Sequence, residues 1–315
     1  LHWVLPTRFR RALLLIASYV FYMNWMPTYG TLIFALTAIN YGIGLAIPRF
    51  DKRKKAILVA GLVFNIGCLC FYKYANFLIG SFWHAASWSN GISGWPPVQA
   101  TSPALNIILP LGISFFVFEF IHYITDVYRG GAPMKNFWHF ALFAAFFPSQ
   151  IAGPIKRFQD FNEQLGTEAR FSKEKFRDGI GLIFLGLYKK MVLGDNLGHV
   201  VNIGFLNPAH MGTFDAWLAA VGFTFQIYLD FSGYTDIGRG SALLLGYKLP
   251  DNFNWPFLAA SLNDFWRRWH ISLSTWLRDY LFIPMGGSRV SSWKLKQNLF
   301  ITMALGGLWH GADWH

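Results

Sequence analysis

From Tyr228 onward the polar residues of this chain gather in runs within otherwise apolar sequence. They are YLDFSGYTDIGRG (Tyr228–Gly240), LPDNFNWPF (Leu249–Phe257), SLNDFWRRWHISLSTWLRDYLFIPMGG (Ser261–Gly287) and GGLWHGADWH (Gly306–His315). Ionisable groups in such surroundings are costly unless they face a bundle interior or a watery cavity; a cytoplasmic loop carrying an amphipathic helix is the competing account. His310 is the residue best suited to chemistry. It follows the apolar block Asn298–Leu308 and is bracketed by Gly306, Gly307 and Gly311, which permit close backbone approach. Burial there would favour the neutral imidazole that a general base needs. His270 lies on the polar side of the Ser261–Tyr280 segment with Arg267, Ser274 and Arg278. Arginine forks suit phosphate and pyrophosphate. His310 and His315 are five apart and no HExxH occurs, so the spacing suits no zinc site.

The other histidines read as less chemical. His2, His84, His199 and His210 fall in loop or interfacial sequence, and His122 and His139 sit in or beside apolar segments as structural residues. Cys68 and Cys70, two apart in one apolar block, read as packing residues.

Elements that position these groups follow from periodicity. Ser261–Tyr280 predicts one helix, with Ser261 and Asp264 resembling a capping box at its start. Trp266, Trp269, Leu273, Trp276 and Tyr280 recur at helical spacing on its aromatic face. Such a helix suits either the membrane interface or the wall of a cavity that receives an anionic group.

Composition places the whole chain in a bilayer. Hydrophobic residues make up 54% of it and charged residues 14%, against about 25% charged in soluble domains. Apolar blocks at Ala12–Tyr22, Thr31–Ile47, Ala56–Ile79 and Asn106–Asp126 alternate under one charge rule. Arg8, Arg10 and Arg11 mark a cytoplasmic start, Arg49–Lys55 holds five basic residues and one acid, and Gly80–Ala104 is an uncharged outside loop. The net charge of +11 follows from that bias, with the basic residues in loops between apolar blocks; nucleic acid is not among the partners expected. Asn136–Gly153 is apolar but flanked by basic sequence on both sides and interrupted by Pro148 and Gly153, which predicts a re-entrant segment. Phe158–Asp178 mixes charges and reads as an amphipathic cytoplasmic stretch, and further blocks follow at Gly179–Leu193, Ala216–Leu229, Gly240–Leu245 and Asn298–Trp309. The expectation is an all-α, multi-pass integral membrane protein with roughly eight to ten membrane segments, in a single domain over residues 1–315. The chain starts without methionine and stops after a dense motif, so both ends read as cut.

At this level of detail the chain resembles the membrane-bound O-acyltransferase superfamily. The resemblance lies in its bacterial branch, which contains alginate O-acetyltransferase and the D-alanyl transfer protein of teichoic acid synthesis. It rests on ordered blocks: FYKYANFL (Phe71–Leu78), LPLGISFFVFEFIHYITDVYRG (Leu109–Gly130), FFPSQIAGPIKR (Phe146–Arg157), DFSGYTD (Asp230–Asp236), DFWRRWHISLSTWLRDYLFIPMGG (Asp264–Gly287) and GGLWHGADWH. It implies a ring of tilted and re-entrant helices around a central funnel. It implies His310 as the catalytic histidine and His270 as a second characteristic one, with Asp264, Arg267, Arg268 and Trp309 as substrate-binding residues. No permanently bound cofactor or metal is implied; acetyl-CoA or another activated acyl donor is a substrate. The implied setting is the bacterial inner membrane, with an extracytoplasmic esterase-like partner protein and a polysaccharide acceptor such as alginate. Glu119, His122 and the DIGRG run (Asp236–Gly240) depart from the more apolar pattern of the alginate branch. D-alanyl transfer to teichoic acid is the alternative within acyl transfer. A transporter or flippase is the alternative outside it, though the halves show no repeat symmetry.

Overall fold

A computed structural model describes residues 2–93, 105–151, 153–167, 169–206 and 211–311. Helix is the only regular structure among them. The chain packs as two compact units, Leu1–Gly30 with Asn136–Thr275 and Thr31–Lys135 with Trp276–His315. Each unit is assembled from two separated stretches, so no single cut in the sequence divides them.

The first unit opens with α1 (Thr7–Trp25) and continues through α5 (Phe137–Ala145), α6 (Phe158–Gly166), α7 (Lys173–Leu187), a π-helical turn (Tyr188–Gly194), α8 (Asp195–Leu206), α9 (Thr213–Leu244) and α10 (Leu262–Arg268). α5 is the core of the predicted re-entrant segment. Nine residues rise only about 14 Å, half a hydrocarbon core. Phe140–Phe146 are all buried, packed on Phe161 and Tyr247. α9 has the reverse of soluble amphipathicity. Phe214, Trp217, Leu218, Val221 and Phe225 point outward, Trp217 69% exposed, while Gly222, Ser232, Gly233, Thr235 and Asp236 are buried. Water does not cover such a surface cheaply; lipid does. α7 and α9 cross where a Cβ on Gly186 would lie 2.5 Å from the Gly233 carbonyl oxygen, and one on Gly240 2.5 Å from that of Gly179. Only glycine allows that approach, and it sets α7 against the polar run of α9.

The second unit holds α2 (Pro27–Arg49), α3 (Lys54–Ser93), α4 (Ile113–Tyr128) and α12 (Ser292–His310), with the π-helical turn Arg278–Phe282. α2 and the Asp51–Ala86 run are the two helices among the described residues long and apolar enough to cross a membrane. A reciprocal amide pair joins them. Asn40 Nδ2 donates to Asn65 Oδ1 at 3.0 Å and Asn65 Nδ2 to Asn40 Oδ1 at 2.7 Å, both side chains fully buried. α4 packs where α2 and α3 are stripped to glycine, with Tyr123 filling the space beside Gly44 and Ile124 that beside Gly61. α12 again exposes its apolar residues, Phe300 at 74%.

Three expectations from sequence need correction. The uncharged stretch from Gly80 is not loop throughout, because α3 continues to Ser93; the remainder lies outside the described residues. Ala216–Leu229 and Gly240–Leu245 are not separate blocks: the intervening polar run is helical and belongs to α9. Ser261–Tyr280 is not one helix. It breaks at Trp269–His270, where His270 takes a left-handed φ of 41°, and resumes as α11 (Ile271–Leu277) and the π turn.

Candidate functional site

The break at His270 has a physical cause in the segment Leu249–Phe257. Asn254 N donates to the Arg268 carbonyl at 2.9 Å and Ile271 N to the Asn252 carbonyl at 2.9 Å, pairing the two segments across the position where a helix would have run on. Asn252 is completely buried at the centre. Its Oδ1 accepts from Ser272 N at 3.2 Å and Ser272 Oγ at 2.9 Å, and lies 3.1 Å from His270 Nδ1. Ile155 N donates to Ser272 Oγ at 3.1 Å, which ties the GPIK segment to the same knot. His270 is 2% exposed, with Phe231 edge-on at 4.6 Å. A left-handed backbone costs a histidine on the order of 1 kcal/mol. The hydrogen bonds of this knot offset it.

α10 carries three of the residues implied in substrate binding. Ser261 Oγ caps it by accepting from Asp264 N at 3.2 Å. Asp264 Oδ2 accepts from Ala260 N, one residue before the partner a capping box would use. Arg268 Nε sits 3.0 Å from both Asp264 oxygens and holds that carboxyl below the usual carboxylate range, with Ala260 N and Arg267 adding to the effect and burial opposing it. Asp264 and Arg268 thus occupy each other, while Arg267 is exposed.

The remaining two residues, Trp309 and His310, end α12 in the second unit. Lys73 Nζ donates to the Trp309 carbonyl and lies 5.3 Å from the centre of its indole ring. Tyr74 OH donates to the Leu308 carbonyl at 2.7 Å. The last carbonyls of a helix have no partner within it and carry its negative end, so a lysine and a phenol are suitable caps. Trp309 is 9% exposed and stacks on Phe118 at 5.2 Å; the same Phe118 ring stacks on Trp276 at 4.0 Å, and Trp276 Nε1 donates to the Phe118 carbonyl at 3.0 Å.

His310 itself is exposed, with its ring edge-on to Trp309 at 4.6 Å. The expectation of burial around His310 is met only in part: the side chain is exposed, while Trp309 packs against its ring and Lys73 lies near enough for its charge to be felt. α12 turns Asn298, Gly306 and Trp309 inward, and the next residue points away. Among the described residues, only Gly306 of the three bracketing glycines meets a close neighbour, Leu277. α4, whose Phe118 stacks on Trp309, also carries polar groups. Glu119 and His122 are buried one turn apart, the His122 ring is 5.9 Å from that of Tyr280, and Tyr280 OH donates to Asp126 Oδ2 at 2.7 Å. His315 and His210 lie outside the described residues.

The two candidate catalytic histidines thus end up in different units, His270 in the knot of the first and His310 at the capped helix end of the second. Reading by residue type missed Asn252, Lys73 and Tyr74. The block FYKYANFL was visible in the sequence, but nothing in its composition points to the end of α12.

An all-helical chain with outward apolar faces, polar knots inside and a histidine at a capped helix end has close counterparts. The profile of the membrane-bound O-acyltransferase family matches residues 127–315, and the chain belongs to that family. It is 44% identical, over its whole length and 62% of the relative's, to the probable alginate O-acetylase of Azotobacter vinelandii. It is 34% identical to the peptidoglycan O-acetyltransferase of Helicobacter pylori, covering 97% of this chain and 61% of that one. It is 32% identical to the teichoic acid D-alanyltransferase of Bacillus subtilis over 69% of this chain and 58% of that one. The chain spans about three-fifths of the length of the curated relatives it matches.

Proposed function

We propose that this chain is the acyl-transferring part of a multi-pass bacterial inner-membrane O-acyltransferase that moves acetyl from cytoplasmic acetyl-CoA towards hydroxyls of an exported polysaccharide such as alginate. The observation that carries the reading is the fixed end of α12, where Lys73 and Tyr74 hold the carbonyls of Trp309 and Leu308 and leave the adjoining imidazole exposed. A base must be accessible to the proton it removes, and its backbone must not wander. His310 takes the proton of the attacking hydroxyl as the oxygen bonds to the thioester carbonyl carbon. The carbon–sulfur bond then breaks and the proton passes to the departing thiolate, with no covalent enzyme intermediate. In this reading Arg267 meets the phosphates of the donor, His270 holds the cytoplasmic-side fold in register, and an extracytoplasmic partner completes delivery to the polymer. The 44% identity to an alginate O-acetylase favours acetyl over D-alanyl as the group moved.

The test is to express the complete gene with its neighbours in a strain lacking the activity and to quantify ester-linked acyl groups on the isolated envelope polysaccharide. Acetyl esters in wild type and none in His310→Ala, at matched membrane levels, are expected. Wild-type ester content in His310→Ala would remove the base assignment, and D-alanyl in place of acetyl would change the donor.

A further inference from the structure

A second polar site lies on the first unit, away from the His270 knot, between α1 and the start of α5. It is a cavity of about 520 Å³, with Arg11, Asn136 and His139 on its polar side and Leu15, Ile16 and Trp138 on its apolar side. That volume lies within the range of small-molecule sites, about 300–1,000 Å³.

The groups around it divide into occupied and available ones. Arg10 is spent on backbone, with Nε on the Leu5 carbonyl at 2.8 Å, Nη1 on that of Ala169 at 2.8 Å and Nη2 on that of Trp3. Asn136 Oδ1 accepts from the amides of Trp138 and His139, so the first turn of α5 offers little positive field of its own. Arg11 is different. Its Nη1 lies 2.6 Å from His139 Nε2. That contact makes the imidazole the acceptor, hence neutral and protonated on Nδ1, and it orients the guanidinium while using one of five N–H donors. The result is a directed cation with an N–H-bearing ring beside it, an arrangement suited to a phosphodiester.

What leads away from this cation is apolar. Ala12, Ile16 and Val20 follow one another at helical spacing along α1 and are all exposed, Ile16 at 63%. Trp138, 62% exposed, stands at the polar end of that track, where indoles anchor at a membrane interface. A soluble anion would use the cation and leave the track bare. A lipid uses both, with headgroup phosphate on Arg11 and an acyl chain along Ala12–Ile16–Val20.

We infer that this cavity is a binding site for one anionic phospholipid, such as phosphatidylglycerol, of the leaflet that Arg11 faces. The inference does not depend on acyl transfer, so the failure of either leaves the other standing.

The experiment is native mass spectrometry of the detergent-purified full-length protein with equal phosphatidylglycerol and phosphatidylcholine of identical chains. Wild type should retain phosphatidylglycerol preferentially, by roughly fivefold for one cation at a lipid headgroup. Arg11→Gln should bring the ratio near one and Arg11→Lys should partly restore it. Millimolar inorganic phosphate should not displace the lipid. A melting-temperature rise of wild type on adding phosphatidylglycerol, absent with phosphatidylcholine, reads the same site without any variant. Equal retention of the two lipids by wild type, an unchanged preference in Arg11→Gln, or displacement by phosphate would each overturn the inference, the last by assigning the site to a soluble anion.

Discussion

Tyr74 reaches across 234 residues of sequence to donate its hydroxyl proton to the Leu308 carbonyl at 2.7 Å, one residue from the carbonyl held by Lys73. The end of α12, and with it the backbone of His310, is therefore set by α3.

Tyr74→Phe removes that hydrogen bond and little else. About 1 kcal/mol of stability should go, seen as a lower melting temperature in detergent. Lys73→Met should cost more, since a cation–π contact and a helix-end charge go with the bond. Under the proposed role of His310, both variants should lower turnover more than they raise KM, because they loosen the backbone that carries the imidazole. Equal loss in both parameters would place Lys73 in donor binding.

Asn40 and Asn65 exchange amide hydrogen bonds, so either replaced alone leaves the other's buried Oδ1 without its donor, while the surviving Nδ2 keeps a backbone carbonyl. Asn40→Leu should destabilise by roughly 1–2 kcal/mol, while Asn40→Leu with Asn65→Leu should recover part of the loss. The check is a double-mutant cycle on thermal unfolding in detergent.

The π turn after α7 brings two consecutive lysines to one face of α9, Lys189 to Asp236 at 2.6 Å and Lys190 to Asp230 at 2.8 Å. An α-helix would set neighbours about 100° apart, and the wider turn relaxes that. Lys189→Met leaves the largely buried Asp236 with Arg239 as its remaining ion-pair partner and should cost about 3 kcal/mol or more, whereas Lys189→Met with Asp236→Leu should be markedly milder. Membrane-fraction yield and melting temperature report the order of the two.

His2, ahead of α1, is buried, and burial together with nearby Arg10 pulls its pKa below the ordinary 6.5, against an opposing backbone contact at Leu245. The unfolded chain therefore binds the proton more readily than the folded one. Stability contributed by neutral His2 should be complete above pH about 6.5 and fall with decreasing pH until the folded-state value is reached. His2→Gln should flatten the melting-temperature profile between pH 7 and 5. An unchanged profile would mean that His2 remains solvated.

Much of the first half could be read before folding. The apolar blocks located helices α1 to α4, and two of these, α2 and the run through α3, are long and apolar enough to cross a membrane, because apolar run length is a local property of sequence. The cap at Ser261 was legible for the same reason. His270 was not. Its neighbours keep a helical period on both sides, and no glycine marks the left-handed turn; the break comes from Asn252 and Asn254, which compete from a segment some 16 residues upstream for the backbone groups a helix would have used. His310 was singled out by its motif, but its exposed side chain was not legible, since inward and outward positions on α12 depend on where its neighbours pack.

The interleaving of the two units also sets a timetable for synthesis. Trp3 Nε1 donates to the Leu244 carbonyl, a partner made 241 residues later. At about 5–20 residues per second that is a wait of roughly 12–50 s. Within that wait α2, α3 and α4 are made first, then α5, on which α1 packs, and the Trp3 bond closes last. The residues ahead of α1 are therefore the part of the first unit that is fixed in full only once α9 has been translated.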